Sequence, residues 1–247
     1  MGNKINTHKE FKERWVCIKN ELKEDSSIDL FLKVFLIYNE RIDNRYFKPI
    51  ELLRDHKDSS DGFGFSMVAI LCSLIEFLQS TIDGKFDKKA YENEFNLKYS
   101  VLQNEKKIAY YEVVNNNEDN EFVIFLKKMD SRFEINPDYS AYYNSVAREI
   151  YECIRCTLLH DACTRNNWII REESDDESIF DNSNKEEKIL YRNNFYELIK
   201  NKVNCEMRDQ FLDKDNTELR KNLLKKMDVI FETANYSKKE DIPFWWN

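Results

Sequence analysis

Apolar residues recur along this chain at the spacing of an α-helix. The first such run predicts an amphipathic helix over residues 8–24. Residues 28–42 and 65–82 are apolar on nearly every side, which is typical of helices in the centre of a core. Further helices are predicted over residues 88–95, 121–129, 195–211 and 219–231, and in the run 139–168, which contains no Gly or Pro. The pattern therefore predicts an all-α fold.

Two short segments after the run 139–168 have a different character. Residues 168–170 and 188–192 are apolar and β-prone, and an acidic run lies between them, so we expect them to pair as a small hairpin. Residues 43–62 lack a helical pattern and are predicted to be a loop. The aromatic residues near the C-terminus, 242–246, are expected to dock against the rest of the chain.

The composition supports a helical protein with a sizeable core. The 247 residues are 42% hydrophobic, and four Gly and three Pro leave little material for barrels or Gly-rich phosphate loops. We expect a single domain over residues 1–247. Its parts would be an N-terminal helix in 1–27, a core in 28–171 and a C-terminal helical extension in 172–247.

Charge and cysteine usage narrow the classes of function and location. A net charge of −8 argues against a protein that coats nucleic acid non-specifically, although RNA cleavage needs only a local basic cleft. Six cysteines and a charged N-terminus without an apolar leader predict reduced thiols in the cytoplasm. The segment 63–82 approaches the length of a membrane span, but Glu76 and Gln79 lie inside it. We therefore expect a buried core helix and no membrane association.

Charged side chains interrupt the apolar frame of residues 142–171. They are Arg148, Arg155, His160, Asp161 and Arg165. Charged groups beside an apolar stripe need partners, so this cluster is expected to be either a paired network or a working site.

The segment RCTLLH, residues 155–160, resembles the R-x4-6-H signature of the HEPN superfamily, whose helical domains include many metal-independent ribonucleases. The longer stretch IRCTLLHDACTRNNWII is similar to the RCxLLH version found in bacterial defence and abortive-infection proteins. Residues 31–43 and 66–85 resemble the first two helices of such domains. The resemblance covers roughly residues 28–171. It implies an all-α, HEPN-like helical bundle, here with a small β insertion after the motif helix and additional C-terminal helices.

The resemblance implies an endoribonuclease that needs no metal or cofactor and acts on RNA as a homodimer. Its catalytic residues would be Arg155 and His160. Histidine suits proton transfer because its ordinary pKa is near 6.5, and arginine suits a phosphate because its planar fork donates paired hydrogen bonds. Cys156 departs from the many HEPN nucleases that have Asn, Asp or His after the motif arginine. A homodimer would bring both copies of the pair to one cleft.

Other polar residues could assist at this site. Asn39 and Asp161 could support the catalytic pair, although a solvent-exposed helix end explains Asn39 equally well. Arg148, Arg165 and Asn166 could contact RNA, with surface charge or a turn as the simpler explanations. The family setting also implies antiviral defence or a toxin–antitoxin system, with an antitoxin or defence protein as a possible partner.

Several alternatives remain open at this point. His160 could be a buried core histidine, with Arg155 paired to Glu152 or Glu149. Residues five apart on a straight helix point about 140° from each other, so either the helix distorts near Leu159 or the arginine wraps around. The functional alternatives are an inactive HEPN module that binds nucleic acid, a nucleotide or a protein, and a purely structural helical dimer.

The spacing of Cys153, Cys156, His160 and Cys163 resembles a zinc ligand set. On one helix, however, the first and last of these cysteines would lie about 15 Å apart, which is too far for a tetrahedral site. We therefore expect no metal and treat the thiols as ordinary buried groups.

Overall fold

A computed structural model describes residues 8–55, 63–86, 109–110, 119–135, 143–234 and 242–246. These residues are mostly helical and include a small three-stranded sheet, so the mainly helical prediction is confirmed. The helices are α1 (His8–Lys19), α2 (Ile28–Ile42), α3 (Lys48–Asp55), α4 (Phe63–Ile82), α5 (Glu121–Met129), α6 (Val146–Ile150), α7 (Cys156–Asp161), α8 (Arg192–Asn201), α9 (Arg208–Leu212) and α10 (Thr217–Ile230).

Among the described residues, three π-helical segments and two 3-10 turns complete the helical part. The π segments are Asp43–Phe47 between α2 and α3, Tyr151–Arg155 between α6 and α7, and Lys202–Met207 between α8 and α9. The 3-10 turns are Ser131–Phe133 and Phe244–Trp246. The strands are β1 (Lys85–Phe86), β2 (Ala109–Tyr110), β3 (Trp168–Arg171), β4 (Phe180–Asp181) and β5 (Lys188–Tyr191).

Contacts divide the chain into two compact units. The first unit consists of residues 1–44, 80–113 and 204–247, and the second of residues 45–79 and 114–203. Both units draw on segments far apart in sequence. The predicted division at residues 27 and 171 follows chain order, and it stays a prediction.

In the first unit, a buried carboxylate joins α1, α10 and the C-terminal 3-10 turn. Asp228 on α10 is fully buried and accepts hydrogen bonds from the indoles of Trp15, Trp245 and Trp246. The expectation that the C-terminal aromatic residues dock is therefore confirmed. Gly84 follows α4 in this unit with a φ of +65°, and a Cβ there would collide with Asn222 of α10.

In the second unit, the helix that carries the motif consists of α6, the π segment Tyr151–Arg155 and α7, and we name it the motif helix. It packs against α5 and precedes the small sheet. The buried face of the motif helix is formed by Val146, Ala147, Ile150 and Ile154. Sheet order is β3-β5-β4, and the chain passes directly from β5 into α8. The sheet therefore lies immediately after the motif helix, where a β insertion was predicted.

The prediction of a hairpin is wrong in its direction. Residues 168–171 do pair with residues 188–191, but the two strands run parallel, with Ile169 opposite Ile189. The segment between them supplies β4, which pairs antiparallel to β5 through Phe180 and Leu190. Parallel neighbours need a crossover connection, and the acidic stretch with β4 provides it.

The loop predicted over residues 43–62 is also partly wrong, because residues 43–55 are helical. A π segment continues α2 into α3, where Ile50 is buried and Leu52 is exposed. The predicted helix over 88–95 lies outside the described residues, and so do residues 56–62 of the predicted loop.

Helix α4 is long and apolar enough to cross a membrane by length and composition alone. The core helix of a soluble protein passes the same criteria, and 56% of the most apolar window of α4 is buried. One such helix is weak evidence, and the prediction of no membrane association stays a prediction.

Candidate functional site

The motif helix begins and ends at well-defined residues. Ser145 caps its N-terminus, since its hydroxyl accepts a hydrogen bond from the backbone N–H of Arg148 at 3.2 Å. Its helical structure continues through the π segment at 151–155 into α7 and stops at Ala162, which adopts the left-handed conformation with a φ of +53°. Arg155 and His160 therefore lie in the last two turns.

Arg155 is half-buried and paired with a residue of α4. Its Nη2 donates a hydrogen bond to Glu76 Oε2 at 3.0 Å, and its Nε lies 2.8 Å from Glu76 Oε1. The guanidinium also lies over the ring of Tyr151, with 5.4 Å from Cζ to the ring centroid. Burial opposes the charge of Arg155, but the hydrogen bond and the charge of Glu76 outweigh it, so the pKa of the guanidinium is raised. The arginine is thus charged and held in one orientation.

The alternative partners of Arg155 are engaged elsewhere. Glu152 is paired with Arg148, with Arg148 Nε 3.3 Å from a carboxylate oxygen. Glu149 is buried and accepts hydrogen bonds from Lys188 of β5 and from Asn166. The predicted pairing of Arg155 with either glutamate is therefore wrong, because Glu76 takes that place.

His160 is exposed at the end of α7, so it is not a buried core histidine. Its neighbour Leu159 is also exposed, at 51% of its surface. Asp161 is exposed and pairs with Arg165, with Nη2 2.7 Å from the carboxylate. The end of the motif helix therefore presents an imidazole and an apolar side chain to solvent.

The distortion of the helix lies before the motif pair. The π segment ends at Arg155, and residues 156–161 are regular α-helix, so the predicted distortion near Leu159 is wrong. Across that regular turn Arg155 and His160 point about 140° apart. The guanidinium turns toward α4, whereas the imidazole faces solvent.

A tightly held loop follows the motif helix. Ala162, Asn166 and Asn167 all have positive φ values, and the Arg165 N–H donates to the carbonyl of Cys153 at 2.9 Å. The Asn166 amide donates to the buried carboxylate of Glu149. This network fixes the path of the chain from the motif helix into β3.

The residues predicted to contact RNA are paired within the second unit. Arg148 is paired with Glu152, Arg165 with Asp161, and Asn166 with Glu149. Asn39 lies on α2 in the first unit, where its Oδ1 is buried and makes no hydrogen bond to another described residue. The roles of the three residues toward RNA, and of Asn39 in support of the catalytic pair, stay predictions.

The three cysteines of the motif region differ in burial. Cys153 is buried and lies 3.4 Å from the hydroxyl of Tyr143, while Cys156 and Cys163 are partly exposed. Across the part of the chain that the structure describes, no three His, Cys, Asp or Glu side chains come together as a metal site would require.

Burial, reinforced by Cys156, raises the pKa of Tyr151 to about 12. The phenol of Tyr151, whose ring lies under the Arg155 guanidinium, is therefore neutral near pH 7.

Sequence reasoning missed three residues that organise this site: Glu76, Glu149 and Lys188. Glu76 is a carboxylate in an otherwise apolar helix, and that signal predicts a partner for a buried charge. Glu149 and Lys188 lie 39 residues apart in the chain, and no local pattern pairs them.

Comparison of the chain with family models, with curated proteins and with solved structures found no match. The chemistry of the site and the motif resemblance therefore carry the functional argument by themselves.

Proposed function

We propose that this chain is a metal-independent endoribonuclease of the HEPN type that acts on RNA as a homodimer. The observation that carries the proposal is the end of the motif helix, where an exposed His160 follows an Arg155 whose guanidinium is held by Glu76. An exposed imidazole can be reached by a substrate and can act on it as a general acid or base. An oriented guanidinium loses little freedom when it binds a phosphate.

The reaction is a transesterification within the RNA strand. One imidazole removes the proton from a ribose 2′-hydroxyl, and the 2′-oxygen attacks the adjacent phosphorus. The bond from phosphorus to the 5′-oxygen breaks, and a protonated imidazole supplies the proton that the leaving oxygen needs. The guanidinium stabilises the extra negative charge on the phosphoryl oxygens. The products are a 2′,3′-cyclic phosphate and a 5′-hydroxyl.

Two copies of the chain supply what one copy lacks. A single chain offers one motif imidazole, while the reaction uses one group to accept a proton and another to donate one. Within one chain the motif side chains also point about 140° apart. A two-fold contact between motif helices would provide both imidazoles and both guanidinium groups without further residues.

The pairing of Arg155 with Glu76 is compatible with phosphate binding. A guanidinium carries five N–H donors, and Glu76 faces the edge formed by Nε and Nη2. The other edge, formed by Nη1 and Nη2, still presents parallel N–H groups of the kind that bind phosphate in a bidentate manner. Glu76 would then fix the plane of the guanidinium during catalysis.

The same ion pair favours a second candidate function. If Glu76 neutralises Arg155 permanently, the chain is an inactive HEPN-like module that binds nucleic acid, a nucleotide or a partner protein. Both side chains are partly buried, at 19% and 31% exposure, so removing either one would leave the other as an uncompensated charge, as in a structural ion pair.

For the cellular setting, we propose antiviral defence or a toxin–antitoxin system in the cytoplasm, with an antitoxin or defence protein as partner. This part of the proposal rests on the resemblance of residues 154–170 to the bacterial motif.

The test is cleavage of single-stranded RNA by the purified protein in the presence of EDTA. We expect fragments with 2′,3′-cyclic phosphate ends, and loss of cleavage in His160→Ala and Arg155→Ala. Arg155→Lys is the sharper variant, because one ammonium group cannot face Glu76 and grip a phosphate with two parallel donors. Arg171→Ala removes an exposed arginine of β3 and is the matched control, which should cleave like the wild type.

The outcomes separate the two candidate functions. Cleavage that is lost in both motif variants, with circular dichroism unchanged, supports the nuclease. A folded wild-type protein that never cleaves RNA at any concentration refutes the nuclease and leaves the inactive module. Cleavage that persists in His160→Ala would also refute the assigned chemistry, because a contaminating nuclease or another site would then be responsible.

A further inference from the structure

The guanidinium of Arg155 is held from two directions by residues of the second unit. Glu76 contacts its edge, with Nη2 3.0 Å from Oε2 and Nε 2.8 Å from Oε1. Tyr151 contacts its face, with 5.4 Å from Cζ to the ring centroid. The carboxylate restricts movement of the guanidinium within its plane, whereas the aromatic ring restricts its tilt out of that plane. The two contacts are therefore complementary.

The Tyr151 ring is itself anchored to the core of the second unit. Its centroid lies 5.7 Å from that of Phe122 on α5, with an interplanar angle of 47°. Phe122 is fully buried, whereas Tyr151 is partly exposed. Contact with a fixed aromatic ring limits the rotation of the phenol. Tyr151 is therefore a rigid support between the core and the motif arginine.

The backbone of the motif helix also sets the arginine on the ring. Tyr151 and Arg155 are the first and last residues of a π segment, and the Cys156 N–H donates to the carbonyl of Tyr151, five residues before it. Residues four apart lie next to each other on one face of a helix. π segments are rare and are frequently found at functional sites. The irregular turn therefore coincides with the residues that hold the motif arginine.

We propose that Tyr151 is a positioning residue for RNA cleavage, whose ring supports Arg155 so that its Nη1 and Nη2 edge stays directed at the scissile phosphate. This inference rests on the proposed function. Bidentate contact with a phosphate needs both N–H groups in one plane with the phosphoryl oxygens, so a tilt of the guanidinium weakens it. An arginine held on one edge and one face is prepared for the negative charge that develops during the reaction.

The hydroxyl of Tyr151 has no part in this role. Burial raises the pKa of Tyr151 to about 12, so its phenol is neutral and only a weak acid at neutral pH. Proton transfer near pH 7 suits an imidazole much better. The aromatic face should therefore matter for cleavage and the hydroxyl should not, which distinguishes positioning from acid–base catalysis.

The test is steady-state cleavage of single-stranded RNA by Tyr151→Leu and Tyr151→Phe in the presence of EDTA. Leucine keeps an apolar side chain beside Phe122 but offers no π face to the guanidinium. We expect kcat to fall by about tenfold or more in Tyr151→Leu, with KM changed by less than about twofold. Tyr151→Phe keeps the face and should cleave within about twofold of the wild type. The pH profile of kcat should keep its midpoints in both variants, because the proton-transfer groups are unchanged.

Tyr46 provides a matched control in the same unit. It is a partly exposed tyrosine in the π segment Asp43–Phe47, and its ring stacks on that of Phe77 with 6.1 Å between centroids. Its ring contact is thus with another aromatic ring rather than with the motif arginine. Tyr46→Leu makes the same change of side chain and should leave cleavage at the wild-type rate.

The Arg155 Nε–H signal in a proton–nitrogen NMR spectrum reports the orientation of the guanidinium without any cleavage. The magnetic field of an aromatic ring shifts the resonance of a proton close to its face, and Arg155→Lys identifies the signal by its disappearance. We expect the signal to move in Tyr151→Leu and to stay near its wild-type position in Tyr151→Phe. A signal that is unmoved in Tyr151→Leu would contradict the support of Arg155 by the ring.

The kinetic outcomes separate this inference from the proposed function. A wild-type protein that does not cleave RNA refutes the proposed function, and the role of Tyr151 in the reaction is refuted with it. A wild type that cleaves, with an unchanged kcat in Tyr151→Leu, overturns this inference and leaves the proposed nuclease intact. Equal losses of kcat in Tyr151→Leu and Tyr46→Leu would also overturn it, because they would show a general effect on the fold. So would a rise in KM at constant kcat, since the ring would then serve RNA binding alone.

Discussion

Asp228 offers the most stringent test of the structure, because its carboxylate is fully buried in the first unit. Its donors include Lys19 Nζ at 2.7 Å, Thr233 Oγ1 at 2.8 Å, Trp245 and Trp246 Nε1 at 2.9 Å, and Trp15 Nε1 at 3.2 Å. Asp228→Asn preserves the shape of the side chain and removes its charge. The substitution therefore isolates the electrostatic part of the network.

The expected loss follows from the burial of both charges. The Lys19 side chain is only 12% exposed, so Asp228→Asn would leave a buried ammonium group without its carboxylate. Removing one partner of a buried ion pair costs about 3–5 kcal/mol in free energy of unfolding. The asparagine side chain offers the indole N–H groups only one acceptor oxygen. Its N–H₂ group is itself a donor and cannot accept a hydrogen bond from the remaining donors. We therefore expect a loss of about 3–5 kcal/mol.

The pH dependence of this variant has a defined sign. Burial lowers the pKa of Lys19, and Asp228 opposes that effect in the wild type. Without Asp228 the folded-state pKa falls further below the unfolded value. The penalty is then fully present below the folded pKa and is relieved as the pH rises through it toward the unfolded pKa. The stability deficit of Asp228→Asn should therefore shrink at alkaline pH.

Urea unfolding followed by tryptophan fluorescence measures this loss directly, since three of the four tryptophans donate to Asp228. Asp215→Asn removes an exposed carboxylate and is the matched control, with an expected change within about 0.5 kcal/mol. A loss below about 1 kcal/mol in Asp228→Asn would refute the reasoning, because removing one charge of a buried ion pair should lower the free energy of unfolding by about 3–5 kcal/mol.

Three further predictions concern other contacts. A double-mutant cycle of Glu76→Gln and Arg155→Gln, measured by urea unfolding, should give a coupling free energy of about 1–2 kcal/mol. This value lies between those of exposed and buried ion pairs, because both side chains are partly buried. A coupling free energy near zero would contradict the observed ion pair. Burial lowers the pKa of Lys226 to about 8, whereas in the unfolded chain it is near 10.5. Between these two pH values the unfolded state binds the extra proton, so a rise in pH favours the folded state. The free energy of unfolding of the wild type, relative to that of Lys226→Met, should therefore rise by about 3 kcal/mol from pH 8 to pH 10.5. Lys214→Met, at an exposed lysine, should show no such rise when unfolding is measured over the same pH series. Gly84→Ala should lower the free energy of unfolding by at least about 1–2 kcal/mol, because of its positive φ and the collision described above; an unchanged melting temperature would contradict this.

Local periodicity accounts for the parts of the fold that the sequence predicted well. The helix expected over residues 28–42 begins and ends at Ile28 and Ile42, and the helix over residues 121–129 also has its expected limits. Hydrophobic spacing within one helix depends only on neighbouring residues, so a single sequence is enough to detect it. The π segment at 151–155 depends on packing, and no spacing rule indicated it.

Contacts between distant segments account for what was missed. Glu76 and Arg155 are 79 residues apart, and the parallel alignment of β3 with β5 is decided by where the crossover passes. The motif predicted which arginine and which histidine to examine. It did not predict that Arg155 would be paired or that His160 would be exposed, because both depend on which helix packs beside the motif helix.

The left-handed backbone conformation of Ala162, two residues after His160, offers a further test of the proposed site. Ala162 has a φ of +53°, a conformation that costs an L-residue about 1–2 kcal/mol. Glycine would adopt it freely but would lose more conformational entropy on folding, by about 0.5–1 kcal/mol. We therefore expect Ala162→Gly to stabilise the fold by up to about 1 kcal/mol, measured by urea unfolding. Strain of this kind persists only where the surrounding structure holds it in place.

RNA cleavage by the same variant decides what the strain does. If the conformation of Ala162 fixes the position of His160, the more flexible glycine should reduce the rate of cleavage while it raises stability. A variant that is more stable and cleaves RNA at the wild-type rate would show that the strain has no part in catalysis. The loop after the motif helix would then be held by its hydrogen bonds, those of the buried Glu149 carboxylate with Asn166 and Lys188 and that of the Arg165 N–H with the Cys153 carbonyl, without a catalytic reason for its strain.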